Sequence, residues 1–271
     1  MSGDEGFSLV CPSVLISLKG ATSMSSITIG LIVLACVFGG ALLGILLHTV
    51  LPHHHLSSET KDIVKLGMGL VGTMSALVLG LLVASAKNSY DTQSAELTQL
   101  SANIVLLDRG LAVYGPETKE TRALLRDVVV RFHDQIWSKD AASRFAPPSG
   151  GDILYEKING LSPKNDTQRS IQSQALSLVV DMGKTRLLMY EQATGAVSLP
   201  LLVVLVLWLT IIFISFGLYA PFNATAVSSL FLAALSVSGA IFLILEMYTP
   251  YVGVVQISDA PVRAIIENLG R

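Results

Sequence analysis

The stretch from Lys65 to Lys87, KLGMGLVGTMSALVLGLLVASAK, constrains this chain most. No charged residue lies between its two lysines. At 1.5 Å rise per residue, such a helix crosses a hydrocarbon core of roughly 30 Å. It is not uniformly greasy: Gly67, Gly69, Gly72, Thr73, Ser75, Gly80 and Ser85 interrupt the leucines. Small residues let helix backbones approach closely, so the composition suits a packed interior helix. It equally suits a helix beside water, because hydroxyls and exposed backbone tolerate solvent. Gly69, Thr73, Ala76, Gly80 and Val83 recur at spacings of 4, 3, 4 and 3 and share one face. If an aqueous path exists, that face lines it; otherwise it is a packing seam.

Further apolar runs flank this one. Residues 27–51, ITIGLIVLACVFGGALLGILLHTVL, carry no Asp, Glu, Lys or Arg and stop at Pro52. Gly39, Gly40 and Gly44 give that run its own small-residue face. Residues 197–218 and 224–247 are joined by the short turn Tyr219-Ala220-Pro221-Phe222-Asn223, which makes antiparallel neighbours. Asn223 is placed to cap the second of them. The fold class expected is all-α: a polytopic membrane protein with four transmembrane helices and a cytosolic helical insert between the second and third. The predicted boundaries are a tail over 1–26, helices 1 and 2 over 27–87, the helical domain over 88–195, helices 3 and 4 over 196–247, and an amphipathic tail over 248–271.

Charge supports this division. Hydrophobic residues make up 51% of the chain and charged ones 14%. Yet 13 of the 18 Lys and Arg fall between Lys87 and Arg186. In that region Leu97, Leu100, Ile104, Leu107, Leu111 and Tyr114 are spaced 3, 4, 3, 4 and 3, a seam of heptad character. No strong breaker precedes Gly115-Pro116, so the second span is expected to run on as one long helix. Helices follow over about 118–137 and 152–158. Another is expected to open at Ser162-Pro163 and carry Ile171, Ala175, Leu178, Met182 and Met189 on one face. Residues 262–269 form a short amphipathic helix. Lys19, Lys87, Lys184, Arg186 and Arg263 near the span ends, against Lys61 and Lys65 opposite, place both termini and the helical domain in the cytoplasm.

No nucleophile elbow, phosphate loop or zinc-protease helix is present, and no enzyme or cofactor is predicted. Gly67-Met68-Gly69 with Gly72 spells a dinucleotide fingerprint, but inside an apolar helix it has no such meaning. A net charge of −2 argues against a nucleic-acid partner. His53, His54 and His55, with His48 nearby, are candidate metal or proton ligands; three adjacent histidines cannot easily face one ion, and a polar interfacial loop is the plainer reading. Asp108 and Arg109, beside the bend at Tyr114-Gly115-Pro116-Glu117, are read as a structural ion pair or part of a vestibule. Glu246 closes the fourth span, where an acid is costly unless paired. It is a candidate to bind a cation or pair with Lys87 or Arg109.

The runs LPHHHLSSETKDIVKLGMGLVGTMSALVLGLLVASAKNSYD, LLDRGLAVYGPE, LWLTIIFISFGLYAPFNAT and FLILEMYTPYVGVVQIS resemble a bacterial membrane-protein family described as bestrophin-like. The resemblance covers nearly the whole chain from about Ile27 to Leu269. Bestrophins are pentameric anion channels with four membrane helices and a pore lined by the second. The resemblance therefore implies a homo-oligomer in the bacterial inner membrane, a pentamer if it follows bestrophins, with lipid and inorganic ions as partners. It departs from them in two ways. Residues 66–86 contain no aromatic, and the acidic cluster that binds calcium in animal bestrophins has no counterpart here, so calcium gating does not carry over.

The leading expectation is an oligomeric ion channel for anions such as chloride, with the second span at its axis. Selectivity would then rest on pore width and on backbone and hydroxyl dipoles, since the span holds no fixed charge. The alternative is a non-conducting scaffold or sensor whose helical domain binds a partner through the seam from Leu97 to Tyr114. A metal-responsive protein using the histidines is the third.

Overall fold

The computed structural model describes residues 25–50, 58–138, 150–194 and 199–270. Among these all regular secondary structure is helical, with no strand. The helices, in order, are α1 (Ser26–Val50), α2 (Ser58–Tyr114), α3 (Lys119–Ile136), α4 (Gly151–Asn159), α5 (Asp166–Thr194), α6 (Leu199–Tyr219), α7 (Ala224–Met247) and α8 (Ala260–Asn268). Four of them, α1, α2, α6 and α7, are long and apolar enough to cross a membrane. The absence of a breaker before Gly115 has the expected result: α2 is a single helix of 57 residues. The expected N-terminal tail falls outside the described residues.

The chain divides into two compact units, one of residues 1–80 and 200–243, the other of 81–199 and 244–271. In the first, glycine decides how closely α1 and α6 approach. A Cβ on Gly44 would strike the Ile214 carbonyl, and one on Gly217 would strike the Ala41 carbonyl. Lipid tails are as apolar as leucine, so such helices associate through close van der Waals contact rather than hydrophobic burial. Val37, Ala41 and Ile45 of α1 and Leu205, Ile212 and Phe213 of α6 are buried around the crossing. α7 is tied to α1 by polar and aromatic contacts. Ser238 Oγ donates to the Gly30 carbonyl at 2.5 Å, and Phe38 meets Phe231 edge-on at 5.2 Å. Asn223 caps α7 as expected, its Oδ1 accepting from the Ala226 N–H at 2.7 Å.

In the second unit the heptad seam of α2 is the core. Leu97, Leu100, Ile104, Leu107 and Leu111 are buried together with Leu125, Val129 and Phe132 of α3, Leu154 and Ile158 of α4, and Ala175, Val179 and Met182 of α5. Burying one such side chain contributes about 1.5–3 kcal/mol. The chain reverses after α2 at Gly115, whose φ of 141° suits glycine, followed by the turn Pro116–Thr118. Thr118 Oγ1 closes the reversal by donating to the Leu111 carbonyl at 2.5 Å. One expected start is corrected. α5 opens at Asp166, not at Pro163, because Asn165 Oδ1 accepts from the Gln168 N–H at 2.8 Å and caps the helix there.

Candidate functional site

The apolar part of α2 presents different surfaces around its circumference. Ser75, Leu82 and Ala86, at spacings of 7 and 4, are buried and mark its packing side. Gly69, Thr73, Ala76, Gly80 and Val83 lie about a third of a turn away, at 3.6 residues per turn. All five are exposed. No atom of another element comes within 4 Å of where a Cβ on Gly69 or Gly80 would stand. Beyond them runs a bulky, exposed side of Leu66, Leu70, Leu77 and Leu81. Among the described residues this face is therefore one exposed surface. Only 11% of the apolar window of α2 is buried, against 39%, 33% and 22% for α1, α6 and α7.

Two hydroxyls of this run bond back to the helix's own carbonyls. Thr73 Oγ1 donates to the Gly69 carbonyl at 2.9 Å, and Ser75 Oγ to the Val71 carbonyl at 2.8 Å. A lone pair of Thr73, not its proton, is then what the surface offers. The lysines bracketing the run are each paired on the same helix, Lys65 with Asp62 at 3.6 Å and Lys87 with Asp91. Beside the small face, Val64, Met68 and Gly72 of α2 and Ile212, Phe216 and Tyr219 of α6 line an apolar cleft of about 490 Å³.

Glu246 is 4% exposed and, among the described residues, is answered by backbone and not by a basic side chain. Its Oε2 accepts from the Val254 N–H at 2.5 Å and the Val255 N–H at 3.4 Å. The anticipated pairing with Lys87 or Arg109 is therefore replaced by a loop that folds back over the carboxylate. Gly253, at φ 120°, makes the fold-back possible, since a Cβ there would collide with Glu246.

Asp108 is also buried, and its partner is Arg122 rather than Arg109. Arg122 Nε and Nη2 donate to its two carboxylate oxygens at 2.8 and 2.9 Å. The fork-to-fork geometry raises the Arg122 pKa through that hydrogen bond. Arg109 is exposed. The pair staples α2 to α3 across the Gly115 reversal. His53, His54 and His55 lie outside the described residues. His48 Nδ1 is 2.9 Å from the Leu218 carbonyl. Among the described residues no group of three His, Cys, Asp or Glu could hold a metal ion. The sequence reading missed Glu96 and Gln192, which hydrogen-bond between α2 and α5, and Gln93, buried nearly one turn earlier on α2. The only signal was a polar residue, Gln93, on the buried side of α2.

Four apolar helices and an all-helical second unit define a membrane protein of the polytopic α-helical class. The bestrophin-like domain model matches residues 35–262, and the chain belongs to the bestrophin-like family. No curated protein and no solved structure matches it.

Proposed function

We propose that the chain assembles as a homo-oligomer around α2 and conducts ions, with anions as the permeant class. The observation that carries this reading is the unused surface of α2. Its apolar run is the least buried of the four, yet it carries an exposed stripe of mostly small residues, Gly69, Thr73, Ala76, Gly80 and Val83. A lipid-facing helix has no need of a glycine and hydroxyl stripe, whereas copies packed about an axis do. Membership of a family named for bestrophins supports an ion path, and the absence of acidic side chains on residues 66–86 supports anions over cations. The helical domain would then be cytoplasmic, on the distribution of lysines and arginines near the span ends. Thr73 adds a condition: an anion must draw its proton away from the Gly69 carbonyl before the hydroxyl can help.

The scaffold alternative loses its specific feature. The seam offered to a partner is consumed inside the chain, where Leu100, Ile104, Leu107 and Leu111 are at most 2% exposed. Reconstituted liposomes test the channel reading. Chloride and potassium flux are compared for wild type, Ala76→Leu and Gly80→Leu, after the mass of each detergent complex shows the same assembly. Flux that falls in both variants is expected. Flux unchanged in both removes the assignment of this face, and no flux in wild type removes the channel.

A further inference from the structure

Where α2 and α5 meet near Met189, polar side chains replace the leucines of the core. Gln192 Nε2 on α5 donates to Glu96 Oε1 on α2 at 2.7 Å. Gln93 lies nearly one turn earlier on the same side of α2, is 1% exposed, and reaches Ser89 Oγ with its Nε2 at 3.3 Å. Tyr251 adds to the group, its hydroxyl 3.5 Å from the Gln93 carbonyl oxygen. Burial first, and the Glu96 carboxylate second, raise the Tyr251 pKa, so this hydroxyl keeps its proton.

The group is lopsided. Glu96 Oε2, Gln93 Oε1 and Gln192 Oε1 are buried, and no donor among the described residues reaches any of them. An unanswered buried acceptor is destabilising by about 1–3 kcal/mol, more when charged. Gln192 cannot resolve this by turning its amide over, because its oxygen would then face Glu96 Oε1. At least Glu96 Oε2 and Gln192 Oε1 are thus fixed as acceptors.

We infer that these oxygens bind a hard, singly charged cation of the alkali class. All-oxygen ligation selects hard cations over the softer transition metals. One carboxylate balances one positive charge. A divalent ion would leave an uncompensated charge beside Leu97, Leu100 and Met189, which are buried. Bound there, the ion draws α2 and α5 together through Glu96 and Gln192. The inference does not depend on conduction. The rival arrangement has the Gln93 amide turned over, donating to Glu96 Oε2, and needs no ion.

The full chain, purified in detergent in a choline chloride buffer, is offered radioactive sodium or rubidium. Saturable uptake of one ion per chain is expected for at least one tracer. It is lost in Glu96→Gln, which keeps the hydrogen bond from Gln192 but not the charge. Gln93→Met weakens it about tenfold, the scale of losing one partner to a charge. Thermal unfolding of wild type gives a readout that needs no variant: Tm rises with sodium or potassium chloride relative to choline chloride. Uptake of neither tracer by wild type overturns the inference. So does equal uptake by Glu96→Gln, or one Tm in all three salts.

Discussion

The Glu246 carboxylate occupies the space that a Cβ on Gly253 would need, and the Val254 N–H closes on it at 2.5 Å. A buried acid at the end of an apolar helix is thereby answered by main-chain N–H groups. Gly253→Ala must both accept a φ of 120° and displace the acid. Left-handed strain alone is on the order of 1–3 kcal/mol. A lower Tm of the detergent-solubilised protein is expected. Glu246→Gln keeps the shape and loses the charge-assisted bonds, worth about 1.5–3 kcal/mol, and should fall by a similar amount. A Tm within a degree of wild type for both variants would show the loop to be a bystander.

The contrast between Asp108 and Arg109 gives a second expectation. Both side chains of the Asp108–Arg122 pair are less than a fifth exposed, at 12% and 16%. Removing one partner of a buried pair costs about 3–5 kcal/mol, toward the lower end here because both groups retain some water. Asp108→Ala and Arg122→Ala should each destabilise the protein strongly in urea titration, while the double variant recovers part of the loss. Arg109→Ala should change stability by less than about 0.5 kcal/mol.

Glycines with the same sequence appearance part company in the fold. Gly44→Ala places a methyl against the Ile214 backbone, which cannot step aside. Loss of the folded complex on size exclusion is expected. Gly67→Ala meets nothing within 4 Å and gains helix propensity of roughly 1 kcal/mol. It should express and assemble at least as well as wild type. Equal behaviour of the two variants would mean that α1 and α6 do not cross at these glycines.

Acid should loosen α8. His133 Nε2 is 3.3 Å from Asp259 Oδ2, Arg263 pairs with the same carboxylate, and His133 Nδ1 is 3.1 Å from Asp134. Burial alone would raise the Asp259 pKa, but the His133 and Arg263 partners bring it below its ordinary 3.8. A depressed carboxylate contributes stability that is present above 3.8 and lost as pH falls through the lower folded value. The Tm of wild type should therefore exceed that of Asp259→Asn at neutral pH, with the two curves converging below 3.8. Parallel curves down to that pH would show that the ion pairs add nothing.

What could be read from sequence alone was whatever is local and periodic. Asn223 marks where α7 begins because a cap acts on its own residues. The heptad seam of α2 was legible for the same reason. Ser162-Pro163 misled because Asn165 offers a competing cap three residues on. Partners brought in by the path of the chain were not legible. Arg122 reaches Asp108 only because Gly115 reverses the backbone, and nothing in the composition of either helix ranks Arg122 over the adjacent Arg109. The main-chain donors to Glu246 have no side-chain signature apart from Gly253. The small face of α2 was legible as a face, but its exposure emerged only once the other apolar helices had been seen to pack elsewhere.

The mutual notch of Gly44 and Gly217 has a bearing on biogenesis. α1 is finished at Val50, whereas α6 does not begin until Leu199. A ribosome making this protein completes α1, the apolar span of α2 and the helical domain before the matching groove exists. The contact between Gly44 and Gly217 can therefore form only after everything between the two helices has been made.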